Sequence, residues 1–118
     1  MSYFIPFQPI TNINYVYLLC LYKIAEYNRT TKIKDTIRYS SIKDLSNRIE
    51  KKTGIKIKET TLYNFINKQS GNGYFILDSS NKRITLYNNY RKNFQHNQIT
   101  AFVILEEPQI NIILKMNQ

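Results

Sequence analysis

Apolar residues recur at helical spacing near the start of the chain. In the stretch TNINYVYLLCLYKIAEYN they fall at i, i+3, i+4, i+7, i+11 and i+14 between Ile13 and Tyr27, which predicts a first helix. Leu18, Leu19 and Leu21 widen this stripe well beyond one face. Because a helix this apolar is usually buried on two sides, we expect the core to cover one side and a partner chain the other.

A second helix is predicted to begin near Ser41. Ser41 and Asp44 have the spacing of a capping box with Asp in place of Glu, and one narrow apolar face follows. The segment KKTG that ends at Gly54 places cations in the last turn and then glycine. This order is typical of a helix C-terminus.

A third helix is predicted after a short turn. Leu62, Phe65 and Ile66 lie at i, i+3 and i+4 and form its inward face, and the segment SGNG ends it. Ile55 and Ile57 precede this helix, and we expect them to fill the core from the turn.

Alternating positions predict strands elsewhere. Tyr74–Leu77 and Arg83–Tyr87 form a hairpin with a polar connection and a basic tip. A short strand is expected at Ile37–Tyr39, and the proline-containing residues 1–10 are expected to form an extended arm or a short edge strand. The tail, 99–116, contains the β-branched runs ITAFVIL and INIILKM, and the segment EEPQ between them predicts a second hairpin.

The basic residues are concentrated in the middle of the chain. The 118 residues carry a formal net charge of +9, and 15 Lys and Arg against five Asp and Glu lie between Arg29 and Lys92. A localised basic surface is expected of a nucleic-acid binder. The alternative is that an A/T-rich genome raised the lysine content, because Ile, Asn, Lys and Tyr are all abundant and have A/T-rich codons.

Cysteine content and hydropathy bear on the cellular location. Cys20 is the only cysteine, so no internal disulfide can form, which suits a reducing cytoplasm. The apolar runs are too short to span a bilayer, and the N-terminus lacks the basic segment and cleavage site of a signal peptide. We therefore expect a single cytoplasmic domain without membrane association, with Cys20 as a small core residue.

The order of these elements resembles the winged helix-turn-helix family, which has helix, short strand, helix, turn, recognition helix and a two-stranded wing. The resemblance covers about residues 12–88 and rests on element order and apolar spacing. It implies an α+β fold, a winged helix-turn-helix of three helices and a β-hairpin wing, here with an extra C-terminal β-hairpin. It divides the chain into an N-terminal arm (1–11), a winged helix domain (12–88) and a C-terminal β extension (89–118) packed on the same domain or on a dimer partner.

The resemblance also implies which residues contact DNA. In that family the third helix enters the major groove, the wing contacts the backbone or minor groove, and the second helix faces a phosphate. Carried over, these contacts involve Ser41 and Lys43 on the second helix, Lys58, Thr60, Thr61, Tyr63, Asn64, Asn67 and Lys68 on the third, and Lys82 and Arg83 on the wing. Asn, Thr and Lys suit base edges and phosphates. Lys58 stands where the third helix usually has a Ser or Thr cap. Either the helix begins at Lys58 with a weak cap, or its start is shifted to Thr60. The alternative is an ordinary solvated helix face.

No constellation of catalytic or metal-binding residues is recognisable in the sequence. His96 is the only histidine, the acidic residues are scattered, and phosphate-loop and glycine-rich motifs are missing. We therefore expect no enzymatic activity, no metal and no cofactor.

The sequence predicts a sequence-specific double-stranded DNA-binding protein that acts as a homodimer. Its role is either transcription regulation or an accessory function in plasmid or virus replication or conjugative transfer. The layout is similar to that of small winged-helix accessory proteins of conjugative plasmids, and in that role a larger protein of the same mobile element is a further partner. The alternative is a protein–protein docking module on a winged-helix scaffold, with the apolar tail as its contact surface.

Overall fold

Six strands and four helices are found in residues 2–7, 13–87 and 101–118, which are the residues described by a computed structural model. In chain order they are β1 (Ser2–Phe7), α1 (Tyr15–Ile24), β2 (Glu26–Asn28), β3 (Ile33–Arg38), α2 (Ile42–Thr53), α3 (Glu59–Gln69), β4 (Phe75–Asp78), β5 (Arg83–Leu86), β6 (Ala101–Glu106) and α4 (Glu107–Met116). β1 and β6 form a two-stranded sheet, and the order of the second sheet is β2-β3-β5-β4. All strand pairs are antiparallel, and the fold is α+β as predicted.

The four-stranded sheet buries one face against the helices. Ile37 on β3, Phe75 on β4 and Ile84 on β5 are fully buried in the core. Successive side chains of a strand point to opposite faces, so Thr36 and Thr85, which lie opposite each other, belong to the outer face. The predicted hairpin is confirmed as β4–β5. The predicted short strand is part of β3, which starts earlier and pairs with β2, a strand that the sequence prediction missed.

α1 is shorter than predicted and is buried within its own chain. Asn14 caps it, because its side-chain oxygen accepts the backbone N–H groups of the first turn. The helix ends at Ile24, Tyr27 lies on β2 and Ile13 precedes the N-cap, so the predicted helical stripe is wrong at both of its ends. Leu18 and Leu21 are fully buried, and α1 contacts α2, α4 and β3. The apolar excess of α1 is therefore covered without a partner chain.

α2 begins and ends where the sequence predicts. The Ser41 hydroxyl accepts the Asp44 N–H at 3.0 Å, and the Asp44 carboxylate accepts the Ser40 N–H at 3.1 Å. In a capping box the Asp44 carboxylate would accept the N–H of the N-cap residue Ser41. Here it accepts the N–H of Ser40, one residue earlier. Gly54 ends the helix in the left-handed region, with φ of 77°, which favours glycine.

The turn between α2 and α3 is fixed by core packing and by one hydrogen bond. Ile55 and Ile57 are buried, as predicted. The Ser46 hydroxyl on α2 donates to the Ile57 carbonyl oxygen at 2.6 Å. This bond satisfies a buried polar group and sets the position from which α3 departs.

The second half of the predicted C-terminal hairpin is wrong. β6 ends at Glu106 and α4 follows at once, with Pro108 in its first turn and the Gln109 side chain accepting the Glu106 N–H at 2.7 Å. Proline suits a helix start because its missing N–H has no helical acceptor there. Ile110 and Leu114 are buried, and their spacing of four fits a helix as well as one face of a strand. The helical reading prevails because their one-turn stripe packs on α1 and α2.

The two ends of the described chain meet in one small sheet. β1 pairs with β6 over six residues, so the predicted N-terminal arm contains a short strand. Glu107 joins this sheet to α1, because it forms an ion pair with Lys23 and accepts a hydrogen bond from the Tyr3 hydroxyl at 2.5 Å. Residues 2–7 and 101–118 therefore pack on the same core as α1.

Some sequence predictions fall outside the described residues. His96 and both predicted domain boundaries, at 11/12 and 88/89, belong to this group. Among the residues that are described, no helix combines the length and the apolar composition needed to cross a membrane.

Candidate nucleic-acid interface

α3 presents a polar face on the side opposite its buried residues. Leu62, Phe65, Ile66 and Gln69 are buried on the inward side. The residues on the outward side recur with helical spacing and are all exposed: Thr60, Thr61, Tyr63, Asn64, Asn67 and Lys68. Six of the predicted contact residues are therefore brought together on one helix face.

The side chains of this face differ in how free they are to bind. The Asn67 amide nitrogen donates to the Tyr63 carbonyl oxygen at 2.8 Å, which occupies one of its donors. Asn64 is exposed one turn earlier on the same face. Lys58 is the N-cap residue, and its side chain makes no capping hydrogen bond, so α3 begins at Glu59. The helix start therefore lies at the first of the two predicted positions.

The β4–β5 turn, residues 79–82, has a defined conformation. The Asp78 carboxylate accepts hydrogen bonds from the side chain and backbone of Asn81 and from the Ser80 hydroxyl. These bonds, the Asn81 pair first, lower the pKa of Asp78 from its ordinary value, and the nearby Arg83 contributes less. Asp78 is therefore an internal part of the turn.

Lys82 connects the hairpin to the start of α2. Its ammonium group donates to the Ser40 carbonyl oxygen at 2.9 Å, and its own carbonyl oxygen accepts the Tyr39 N–H at 3.1 Å. Ser41 caps α2 immediately afterwards, and Lys43 is exposed in the first helical turn. Lys82 is thus brought to the start of α2, and we call Ser41, Lys43 and Lys82 the basic cluster.

Arg83 has two charged neighbours across the sheet, one of which the sequence prediction missed. Arg83 lies opposite Arg38 on β3 and opposite Asp78 on β4. Its guanidinium nitrogen is 3.6 Å from the Asp78 carboxylate. Arg38 lies within the predicted strand Ile37–Tyr39, but the sequence prediction did not include the pairing with β5 that places Arg38 beside Arg83. The alternation IKDTIR over 33–38 carries the signal that Arg38 faces outward.

The polar face of α3 and the β4–β5 hairpin are held together by hydrogen bonds at the C-terminus of α3. The Ser70 hydroxyl accepts the Leu77 N–H at 3.0 Å, and the Gly71 N–H donates to the Phe75 carbonyl oxygen at 3.0 Å. Gly71 has φ of 83°, a conformation that L side chains rarely adopt. The α3 face and the hairpin therefore belong to one continuous structural unit.

Neither a metal site nor a reactive thiol is found in the parts of the chain described above. No three His, Cys, Asp or Glu side chains of residues 2–7, 13–87 and 101–118 are grouped so that they could hold a metal ion. Cys20 is fully buried, and burial raises the pKa of its thiol to about 11. The Cys20 thiol is therefore protonated at neutral pH.

Comparisons of this chain with protein-family models, with curated proteins and with solved structures find no match. Function is therefore inferred from the geometry and chemistry of the two clusters.

Proposed function

We propose that this chain is a winged helix-turn-helix protein that binds double-stranded DNA with sequence specificity. The element order α1-β3-α2-α3-β4-β5 supports this proposal, because it matches helix, strand, helix, turn, recognition helix and wing. The strand order β3-β5-β4 is also what that layout requires, since the first strand pairs with the second strand of the wing. β2, which pairs with the outer edge of β3, is an addition to this arrangement.

The observation that carries the proposal is the contact between the basic hairpin and the start of α2. Lys82 bonds to Ser40, and Lys43 is exposed in the first turn of the helix. A helix N-terminus has unpaired N–H groups and a partial positive charge, so it attracts phosphate, and adjacent cations strengthen that attraction. This cluster has the chemistry to hold a DNA backbone.

The outward face of α3 supports sequence recognition in the major groove. Asn64 has an exposed amide that can donate to and accept from adenine in a bidentate pair. Thr60 and Thr61 suit a thymine methyl or a phosphate, and Lys68 suits guanine or a phosphate. With the wing on the backbone and α3 on the bases, the two clusters divide positioning and specificity between them.

The biological role that we propose is transcription regulation or an accessory function in the replication or conjugative transfer of a plasmid or virus. The composition supports a mobile element of an A/T-rich host, in which case a larger protein of the same element is a further partner. A DNA fragment from upstream of the gene is the first target to test for both roles, because regulators and origin-binding proteins commonly bind near their own genes.

We propose further that the protein acts as a homodimer. α1 is not available as the contact surface, because it is buried in its own chain. The exposed apolar side chains of β6 are available: Phe102, Val103 and Ile104 are 45%, 46% and 53% exposed. A dimer would present two α3 helices to two half-sites. Sedimentation velocity at micromolar concentration tests this, and a monomer at all concentrations would contradict it.

The same β6 residues favour the second candidate function, a protein–protein docking module. Exposed contiguous apolar residues on a strand are typical of interaction surfaces. Docking through β6 does not require the basic cluster. Removal of the wing cations therefore separates the two functions.

The decisive experiment compares two double variants that each lose two positive charges. Lys82→Gln/Arg83→Gln removes the wing cations, and Lys52→Gln/Lys115→Gln removes two lysines that line another cavity beside α4. Lys52 is near the far end of α2, about 15 Å from its N-terminus at 1.5 Å per residue. Binding to a labelled duplex from upstream of the gene, and to a scrambled duplex, is measured by fluorescence anisotropy at several salt concentrations.

The logarithm of the binding constant falls linearly with the logarithm of the salt concentration. We expect the wing variant to make this slope less steep by about 2, since each phosphate contact contributes about 0.9. The control variant should keep the wild-type slope. Wild-type protein should prefer the upstream duplex to the scrambled one. No binding by wild-type protein at low salt would contradict the proposal and favour the docking module, and equal slopes for both variants would exclude the wing from the interface.

A further inference from the structure

The outer face of the four-stranded sheet forms a groove of about 730 Å³. Its floor is made of outward-facing strand residues such as Thr36, Ile76 and Thr85. Three arginines line it: Arg29 from the β2–β3 turn, Arg38 from β3 and Arg83 from β5. The groove is separate from the α3 face, and its volume lies in the range of small-molecule sites, about 300–1,000 Å³.

Arg38 and Arg83 are placed where their like charges reduce the stability of the sheet. Arg38 and Arg83 lie directly opposite each other on antiparallel strands, where Cβ atoms are about 4.5–5.5 Å apart. Like charges in this position destabilise a sheet. Both residues are exposed, so neither is held there by burial. Such an arrangement is compensated when an anion binds between the two guanidinium groups.

The two acidic residues that line the groove are shared between the arginines and other partners, since the Asp78 carboxylate is 3.6 Å from the Arg83 guanidinium. Glu26 is 3.6 Å from the Arg48 guanidinium of α2. Asp78 accepts the turn hydrogen bonds from Ser80 and Asn81, and these bonds hold its pKa below the ordinary value. Glu26 and Asp78 therefore neutralise the arginines only in part, and the groove keeps an excess of positive charge.

We propose that this groove is a phosphate-binding site in which Arg29, Arg38 and Arg83 contact the phosphate oxygens. The planar guanidinium group matches phosphate geometry with two parallel hydrogen bonds, and the Thr85 hydroxyl on the floor supplies a further polar contact. The groove volume of about 730 Å³ exceeds what one phosphate fills, so the groove has room for successive phosphates or a whole nucleotide. The phosphate belongs either to the backbone of a bound nucleic acid or to a free nucleotide.

The site is tested with Arg29→Gln/Arg38→Gln, which leaves Lys82 and Arg83 of the proposed wing unchanged. Lys52→Gln/Lys115→Gln again serves as the control with the same change in charge. One arm measures the salt dependence of duplex DNA binding, and this arm rests on the proposed function. The second arm measures binding of ATP and of inorganic phosphate by isothermal titration calorimetry, and it does not depend on DNA binding.

If the phosphate belongs to a nucleic-acid backbone, the arginine variant should make the salt dependence of duplex binding less steep by about 2, and the control variant should leave it unchanged. A free-nucleotide source predicts that wild-type protein binds ATP and that the arginine variant weakens this binding at least about tenfold, the loss of a charge-assisted pair. The second result without DNA binding would refute the proposed function and support the phosphate site.

A structural role for the arginines is tested by thermal unfolding of the arginine variant and of Arg38→Gln alone. Because Arg38 faces Arg83, Arg38→Gln alone should leave the melting temperature unchanged or raise it. A wild-type salt slope together with wild-type ATP binding in the arginine variant would overturn the proposal, whatever its melting temperature. So would a wild-type protein that binds neither duplex DNA nor ATP nor phosphate.

Discussion

Two lysines adopt backbone conformations that are costly for their residue type. Lys32 and Lys82 have φ of 63° and 51°, and each ends the turn of a hairpin. Residues with a Cβ atom lose about 1–2 kcal/mol in the left-handed region. Lys82 gains a hydrogen bond from its side chain to Ser40. Lys32 is exposed, and its N–H donates to the Asn28 carbonyl oxygen at 2.6 Å.

Lys32→Gly should therefore stabilise the protein. Removal of the Cβ atom relieves the left-handed strain, and the entropy of glycine in the unfolded chain offsets part of the gain, so we expect up to about 1 kcal/mol. Urea unfolding measures the change in free energy. The control is Lys34→Gly, at an exposed position in the extended strand β3, which should lose about 0.5–1 kcal/mol. A loss at both positions would show that the Lys32 backbone is not strained.

At the scale of the elements, α4 depends on a bridge that its first residue makes. Glu107 receives hydrogen bonds from Lys23 on α1 and from Tyr3 on β1. The Lys23 side chain is only 9% exposed, so it would be left as a poorly solvated charge without Glu107. Burial raises the pKa of Glu107, but the bonds from Lys23 and Tyr3 outweigh burial and lower it overall.

Glu107→Gln should destabilise the protein in a pH-dependent way. A carboxylate whose pKa is lowered in the folded state stabilises that state above its unfolded pKa of about 4.5, and the contribution is lost as pH falls through the folded value. At pH 7 we expect a loss of about 1–2 kcal/mol, less than for a fully buried pair because Glu107 is 38% exposed. Denaturant unfolding from pH 3 to pH 7 measures this difference, which should disappear in acid.

Glu50→Gln is the matched control for this prediction. Glu50 is exposed on α2, so its loss should change stability by less than about 0.5 kcal/mol. A difference between wild type and Glu107→Gln that stays constant from pH 3 to pH 7 would show that the ion pair with Lys23 does not contribute.

At the scale of the whole molecule, the C-terminal segment belongs to the common core. Ile110 and Leu114 are buried in the same cluster as the residues of α1, α2 and α3. β6 also pairs with β1, so the first and last described strands form one sheet. Such a molecule should unfold as one cooperative unit.

Two isoleucines on α4 test this cooperativity. Ile110 is fully buried and Ile112 is 60% exposed. Ile110→Ala should cost about 2–5 kcal/mol, because it leaves a cavity between α4 and the core, whereas Ile112→Ala should change stability by less than about 0.5 kcal/mol. Circular dichroism and tyrosine fluorescence should report one coincident transition. Loss of helix before the main transition in Ile110→Ala would show that α4 is an independent extension.

The sequence was sufficient where local interactions decide the structure. The cap at Ser41, the C-terminal Gly54 and the apolar spacing of Leu62, Phe65 and Ile66 determined α2 and α3, because the groups involved are only a few residues apart. Alternation and turn residues determined the β4–β5 hairpin for the same reason. The outward residues of α3 followed directly from its inward stripe.

Tertiary structure alone decided the features whose partners are distant in the chain. Ile110 and Leu114 satisfy a strand and a helix equally well, and contact with α1 and α2 selects the helix. The antiparallel pairing of β3 with β5 places Arg38 opposite Arg83, and no local pattern specifies that register. α1 is covered by elements from both ends of the chain, so its apolar excess was a property of the whole fold and not of a missing partner.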